Sequence, residues 1–466
     1  MAGQTFKILL YFDGTNGAGG SNLITLLNGS LGGVTGGGGE YLTSCNAPYG
    51  CGTIFQLSPG PYITTMFSFD GSDGQFPLGL LQAFNGELYG TTEEGGANSC
   101  ANYLQNGCGT VFKMSGNGVV TTIYNFCSQP NCADGFEPSA GLLQAANGDF
   151  YGTTIGGYGS VFRISSDGVL NVVYTFCSMP GCSDGESPWA TLAEAPNGDL
   201  YGTTSSGGNL QCSGGGGCGT VFELSPAGVL TTLYTFSGDY RQAPSGLTQS
   251  SSGDLYGTTT NGGNNDCASA PQGCGTVFKI TPDGEFTTLY AFSGFDGQWP
   301  TSGVIQATDG NLYGTTGQGG SGGCGTIFSI TPQGQLTTLY SLDCSEANSP
   351  AGLVQATDGN FYGTTRYGGP NDCNDVTCGV LFRLSTGLSP FVKASPGFGK
   401  VGSTVKILGT DLTGATGVTF NGVPAAFSVV RSSEIAATVP SGATTGLITV
   451  LTPAATLFSS APFRVH

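Results

Sequence analysis

Hydrophobic and polar positions along this chain alternate in short runs of Tyr, Phe, Val, Ile and Thr, separated by Asn-Gly, Asp-Gly and Pro-x-Gly. Runs of that composition read as β-strands, and the pairs between them as tight turns. One unit is clear at 301–342. An apolar run at 301–307 leads to a turn at Asp309-Gly310, a second strand at 311–316 and a glycine-rich loop. A third strand at 325–330, a turn at Pro332-Gln-Gly334 and a fourth strand at 335–342 complete it.

The unit recurs. Its second strand reads Tyr-Gly-Thr-Thr, or nearly so, from Tyr89, Tyr151, Tyr201, Tyr256, Tyr313 and Tyr362, with a degraded copy at Leu31-Gly-Gly-Val-Thr35. Its third opens as Gly-Thr-Val-Phe or a close variant at Gly52, Gly109, Gly159, Gly219, Gly275, Gly325 and Gly379, at intervals of 57, 50, 60, 56, 50 and 54 residues. Short strands at that period predict a propeller or a solenoid. After 379–384 the seventh unit lacks its fourth strand, and residues 5–12 (Thr-Phe-Lys-Ile-Leu-Leu-Tyr-Phe) match the missing piece. A last sheet completed from the other end of the chain leaves no open seam, whereas a solenoid needs capping repeats.

The expected fold is therefore all-β: a seven-bladed β-propeller over residues 1–387, closed by the N-terminal strand, then a small Ig-like β-sandwich over 388–466. The pattern lapses in a short linker at 385–395, and strands at 404–408, 418–420, 426–430, 434–439 and 447–451 follow at sandwich spacing. If the run at 301–307 is innermost, the loops between second and third strands share one end of the sheets with the links between units. The other end then carries only tight turns.

Cysteines sharpen this picture. Sixteen are present, mostly in close pairs: Cys45/Cys51, Cys100/Cys108, Cys127/Cys132, Cys177/Cys182, Cys212/Cys218, Cys267/Cys274 and Cys373/Cys378. With no Cys-x-x-Cys spacing and no histidine partner, disulfides in an oxidising compartment fit better than metal. The leftover Cys324 and Cys344 fall side by side if strands three and four form a hairpin. Chain entropy gives roughly 2.4 kcal/mol for a closed loop of about seven residues, so each short bridge is expected mainly to stiffen its own loop. No leader precedes the repeats, as expected of a mature secreted chain with an added starting Met. Apolar runs are far too short to span a bilayer.

Charge is unevenly placed. Residues 1–388 hold 28 acids against 7 Lys and Arg, a net of −21, while 389–466 hold 5 basic residues against Asp411 and Glu434, a net of +3. An acidic body repels phosphate backbones, so nucleic acid is not an expected partner. It suits solubility, a cationic partner or Ca²⁺, although no cofactor is required.

The Leu-Tyr-Gly-Thr-Thr…Gly-Gly…Cys-Gly-Thr-Val-Phe units resemble the GloVer-type tandem repeat of secreted, surface-anchored bacterial proteins over about residues 5–385. That resemblance implies export and surface display, and it brings no catalytic residues. Residues Gly402-Ser-Thr-Val-Lys-Ile-Leu-Gly409, Val418-Thr-Phe-Asn-Gly422, Val439-Pro440 and Gly446-Leu-Ile-Thr-Val450 resemble an IPT/TIG immunoglobulin-like domain. Such modules serve as spacers or adhesion units, which again implies the cell surface.

Candidate chemistry is sparse. His466 is the single histidine, which excludes a Ser-His-Asp triad, a histidine-rich zinc site and a histidine general base. Gly319-Gly-Ser321-Gly-Gly323 and Gly397-Phe-Gly399-Lys-Val-Gly402 match nucleophile-elbow and dinucleotide patterns but lack the strand–helix context. The links are more informative: Asp70-Gly-Ser-Asp-Gly-Gln-Phe-Pro77, Asp134-Gly-Phe-Glu-Pro138, Asp184-Gly-Glu-Ser-Pro188 and Asp296-Gly-Gln-Trp-Pro300. Their plain reading is a turn in which Asp accepts from backbone amides. Their functional reading is a ring of carboxylates, Asp70, Asp134, Asp184 and Asp296, that binds Ca²⁺ or sugar hydroxyls at a channel mouth. Trp189, Trp299, Phe76 and Phe136 lie beside the prolines, where they could stack on sugar rings or pack between blades. Acid pairs such as Asp134/Glu137 or Asp184/Glu186 could serve a glycosidase, but nothing in the sequence sets their separation. The expected function is a secreted or cell-surface binding or adhesion protein recognising carbohydrate or another surface macromolecule. The alternatives are a carboxylate-dependent carbohydrate-active enzyme and a structural subunit of a surface assembly.

Overall fold

The computed structural model describes residues 4–41, 45, 50–58, 62–100, 106–212, 216–238, 242–250, 252–263, 267, 272–373 and 377–466. Seven small antiparallel sheets of four or five strands follow one another, and a separate set of sheets forms the tail. The second sheet is typical, with Gln75–Gln82, Leu88–Glu94, Thr110–Met114 and Val120–Asn125 lying side by side in chain order. Two 3-10 turns, Pro130–Cys132 and Pro180–Cys182, are the helical elements among the described residues.

The repeated phrase has a physical reading residue by residue. Gly90 lies opposite Phe112 and Thr92 opposite Thr110 across the central strand pair. A Cβ on Gly90 would stand 2.4 Å from the Phe112 ring, and Gly152, Gly202 and Gly257 meet Phe162, Phe222 and Phe278 in the same way. Those rings are fully buried, so glycine is the residue that lets them fill the sheet face. The second Thr pairs its hydroxyl across the strands, Thr92 with Thr110 at 2.8 Å and Thr204 with Thr220 at 2.9 Å.

The first Thr reaches out of its own sheet. Thr91 Oγ1 donates to the Ala140 carbonyl at 2.7 Å, Thr258 to Ser302 at 2.9 Å and Thr315 to Ala351 at 2.8 Å, each in the segment of the next sheet that leads into or forms its first strand. Thr364, in the seventh sheet, donates to the carbonyl of Ser21 in the first at 2.7 Å. Beside it the Gly352 amide donates to Asn22 Oδ1 at 2.9 Å. The degraded first copy has Val34 in place of this Thr, and Ser21 Oγ bonds the Leu78 carbonyl at 2.6 Å instead.

Strand Thr5–Tyr11 completes the seventh sheet. It pairs antiparallel with Val380–Ser385, Thr5 opposite Ser385 and Tyr11 opposite Val380. Phe6 stacks on Tyr340 of the sixth sheet at 4.1 Å. The run expected as a strand at 301–307 is laddered only at Ile305–Gln306, with a separate bridge from Gln298 to Gln318. The fourth sheet shows the same split, Glu186–Pro188 and Ala193–Glu194 both pairing with Leu200–Ser206. In the gap, carbonyls such as that of Ser302 accept the Thr hydroxyl of the preceding sheet rather than a ladder amide. There first strands come close enough that a Cβ on Gly303 would lie 2.6 Å from the Gly246 oxygen.

In the tail, one sheet orders Lys393–Ser395, Thr404–Leu408, Glu434–Thr438 and Phe427–Arg431, and the other Val423–Pro424, Gly417–Phe420, Ile448–Leu451 and Thr456–Phe458. Val405, Ile407, Val418, Phe420, Ile435, Ile448 and Val450 fill the space between them. The linker is shorter than expected, because Lys393–Ser395 is already a strand. No helix among the described residues is long and apolar enough to cross a membrane.

Candidate functional site: the loop end of the sheets

All sixteen cysteines are paired, in the seven close pairs and in Cys324–Cys344, which ties a loop to the following link. Their burial corrects the expectation that each short bridge mainly stiffens its own loop. Cys51, Cys108, Cys218, Cys274 and Cys378 are all 0% exposed, and their partners Cys45, Cys100, Cys212, Cys267 and Cys373 are buried too. The reason is position: each of the five precedes the glycine that opens a third strand, so it enters the sheet rather than the loop. Cys51 belongs to the apolar cluster of Ile54 and Phe69, Cys218 to that of Val221 and Phe236, Cys274 to that of Val277 and Phe292, and Cys378 to that of Phe12 and Leu381. These five bridges are core groups that anchor loop to sheet, and none offers sulfur to a ligand. Cys127–Cys132 and Cys177–Cys182, half-buried within the links, do brace short turns as expected.

One trio of potential metal ligands clusters among the described residues, Cys100, Cys108 and Cys127, and all three sulfurs are engaged in disulfides. The glycine that opens each third strand touches the next link: a Cβ on Gly109 would lie 2.5 Å from Pro138 and one on Gly159 2.4 Å from Pro188. Loops and links are thus pressed together at one end of the sheets.

A backbone feature repeats there. Phe76, Glu137, Ser187, Ala243, Trp299 and Ser349, each immediately before a proline, all have φ between 45° and 56°, and Gly19 takes the matching place in the first sheet. Proline ordinarily pushes its predecessor into extended backbone, and a positive φ on a side-chain-bearing residue costs roughly 1–3 kcal/mol. All seven residues are half-buried. Two of them stand next to the residue that follows Thr-Thr in the preceding sheet. A Cβ on Gly317 would be 3.7 Å from Ser349 Oγ, and Gly19 faces Arg366.

Glu93 and Glu137 occupy these two positions at the boundary between second and third sheets. Burial pushes the Glu93 carboxyl up, the charges of Glu94 and Glu137 push it further, and the Arg366 guanidinium of the seventh sheet draws it back. Burial and Glu94 likewise raise Glu137. The Asn106 amide donates to Glu94 at 3.0 Å. Three carboxylates and one guanidinium from the second, third and seventh sheets therefore share one electrostatic neighbourhood. Of these, the sequence singled out only Glu137.

The aspartates divide. Asp134 is 3% and Asp184 0% exposed. Asp134 accepts from Tyr124 Oη at 2.7 Å and the Ser128 amide at 2.8 Å, and Asp184 from Tyr174 and Ser178 in the same pattern. Asp296 accepts from Tyr290 and from the Ser293 amide. Burial, with the Asp296 bond adding to it, pushes the Tyr290 phenol up to about 12. These carboxylates are turn-forming groups. The register also corrects the alignment of the links: the residue equivalent to Asp296 in the second sheet is Asp73, because the Asp70 amide donates to Asp73 Oδ1 as the Ser293 amide does to Asp296. Asp70 opens the turn and accepts from Ser72. Burial raises Asp73 to about 6.

The aromatics divide as well. Phe76 and Trp299 share the positive-φ position. Phe136 sits one residue earlier and is buried among Cys100, Cys108 and Phe126, so it presents no face to a ligand. Trp189 follows its proline and is 52% exposed. The Trp299 indole N–H is buried without a hydrogen-bond partner among the described residues.

Among families, the Gloeobacter/Verrucomicrobia repeat matches over residues 1–214, 99–267 and 210–423, and the IPT/TIG domain over 389–465. No curated protein matches the sequence. Among solved structures the chain is similar to a virginiamycin B lyase of Staphylococcus aureus crystallised with quinupristin, at 15% identity and a TM-score of 0.54, covering 82% of this chain and 99% of that one. It is also similar to the extracellular domain of a hybrid two-component system of B. thetaiotaomicron, at 13% identity and a TM-score of 0.49, covering 95% of this chain and 52% of that one. At 15% identity the likeness to the lyase concerns the fold alone, which is propeller-like.

Proposed function

This chain belongs to the Gloeobacter/Verrucomicrobia repeat family and carries an IPT/TIG domain, and from that premise we propose a secreted or cell-surface binding and adhesion protein. In this reading residues 1–387 form a closed seven-bladed propeller and 388–466 an Ig-like domain. The Thr364–Ser21 bond and the pairing of Thr5–Tyr11 in the seventh sheet support closure. Eight disulfides fit an extracellular location.

The ligand is carbohydrate, bound at the loop end of the ring. The observation that carries this is the recurring positive-φ position, which holds Phe76, Glu137 and Trp299 half-exposed on the links. A half-exposed aromatic face and a carboxylate are groups that a sugar's apolar face and hydroxyls require. No cofactor is needed in this reading, and Ca²⁺ enters only as a condition of the test, since no three carboxylates among the described residues converge on one point. A glycan array on oxidised protein, with and without Ca²⁺, tests the reading. Retained glycan that is lost with Trp299→Ala supports it, and blank arrays in both conditions contradict it.

The raised carboxyls of Glu93 and Glu137 favour one second reading, a carbohydrate-active enzyme in which one of them donates a proton. Released product that disappears with Glu137→Gln would select it over simple binding.

A further inference from the structure

The protein's own tail packs against part of the tight-turn end of the sheets. The segment between the seventh sheet and the tail is no free tether. Leu388 packs against Phe361 and Leu384, and a Cβ on Gly359 would lie 2.3 Å from the Leu388 oxygen. The Phe391 amide donates to the carbonyl of Thr357, in the first turn of the seventh sheet, at 3.0 Å. Thr357 Oγ1 and Thr410 Oγ1 are 3.0 Å apart.

The contacts continue onto the neighbouring sheets. Ser433 Oγ donates to the carbonyl of Asn28, in the matching turn of the first sheet, at 2.8 Å. A Cβ on Gly29 would stand 2.5 Å from the Ser433 side chain. Phe84, in the matching turn of the second sheet, meets Phe398 edge to face at 5.4 Å. Across a cleft of about 770 Å³ the tail then faces the turns of the third and fourth sheets, with Ala146 and Glu194 on one wall and Phe398 and Lys400 on the other.

These are all turns between the first and second strands, which in a closed ring surround the channel. Five of the seven, consecutive from the seventh sheet to the fourth, have the tail against or over them. We infer that the IPT/TIG domain is a docked cap over the tight-turn mouth, and that a ligand reaches the channel only from the loop end. The inference rests on the closed-ring reading. It assigns the domain a role other than spacer, because a spacer needs a tether and no face committed to its neighbour.

Hydroxyl-radical footprinting of the full oxidised chain, combined with small-angle scattering, tests it. Phe295, 90% exposed at the loop end, is the internal standard. In the unaltered protein Phe398 is expected to label several-fold more slowly than Phe295, with scattering of one compact particle. Thr357→Arg, on the ring, and Ser433→Arg, on the tail, are each expected to raise labelling of Phe84 and Phe398 about threefold, leave Phe295 unchanged and lengthen the particle. Two substitutions on opposite sides of one interface guard against one of them simply misfolding. Phe84 and Phe398 labelling as fast as Phe295 in the unaltered protein, with scattering from two tethered bodies, would overturn the cap. Amide exchange over Thr5–Tyr11 reads the ring separately: fast exchange there removes the ring, whereas protection there with a freely labelled Phe398 removes only the cap.

Discussion

The two ends of the same seven sheets are built by opposite means. At the turn end, Asn-Gly and Asp-Gly turns are short and alike, and the tail packs on them through Thr357, Asn28 and Phe84. At the loop end, disulfides pin irregular loops to the sheets, residues before proline are held at positive φ, and the charges of Glu94 and Glu137 act on Glu93. The sheets between need only the repeated phrase, and it tolerates little change. What differs from repeat to repeat is concentrated at the loop end, as expected where a rigid scaffold carries binding groups on its loops. Under the proposed reading, the uniform end is the one the tail docks on and the variable end the one that recognises a ligand.

Changes to the shared interior should break both ends at once. Phe222 is fully buried beneath Gly202, and Phe222→Ala is expected to cost about 3–5 kcal/mol by cavity formation. Denaturant unfolding followed by loop-end and turn-end probes should shift together. Removing one long bridge should instead break the loop end alone. Cys324→Ser with Cys344→Ser, which opens a separation of 20 residues, is expected to cost about 3 kcal/mol. Amide exchange should rise around 317–325 and 343–349 while the turn at 308–311 stays protected.

A smaller effect tests the seam between first and seventh sheets. Thr364→Val removes the hydroxyl that bonds Ser21 and is expected to cost about 1 kcal/mol. Thr315→Val, at an ordinary boundary, should cost the same if the seam is one more blade contact. The smallest effect has the opposite sign. Because Asp73 is raised to about 6 in the folded protein, from an ordinary value of 3.8, the folded state holds the proton more tightly than the unfolded chain. Its destabilising effect is absent below about pH 4, grows as pH rises to about 6, and is constant above. Asp73→Asn, which copies Asn16 of the first sheet, should therefore stabilise the protein at pH 7 by up to about 1 kcal/mol after allowance for solvent screening. At pH 4 the two proteins should melt together.

Much of this architecture was legible because each repeated residue has one job. Gly90 had to be small for Phe112, and Thr92 had to meet Thr110, so the phrase returned the same strand pair each time. Cys324 and Cys344 were predictable from a hairpin alone. Pairing of the close cysteines was legible too, but not their depth: spacing says which sulfurs meet, whereas the burial of Cys218 and Cys274 depends on a neighbouring sheet. The site was less legible. Asp70 and Asp73 both precede glycine or its turn, and only the amide bonded to Asp73 reveals which one matches Asp296. Phe136 and Trp299 look equivalent beside their prolines, yet one residue of offset at positive φ separates a buried ring from a half-exposed one. Glu93 follows Thr-Thr, where the repeated phrase ends, and its neighbour Glu137 is 44 positions away in sequence. Charge clusters assembled from different sheets carry no local pattern to read.

Native-state amide exchange over Thr5–Tyr11 in the intact, oxidised chain is the most direct test of the ring on which this division into two ends depends. A closed ring requires protection there equal to that of Val380–Ser385, lost only on global unfolding. Free-peptide exchange over Thr5–Tyr11 while Val380–Ser385 remains protected would contradict it.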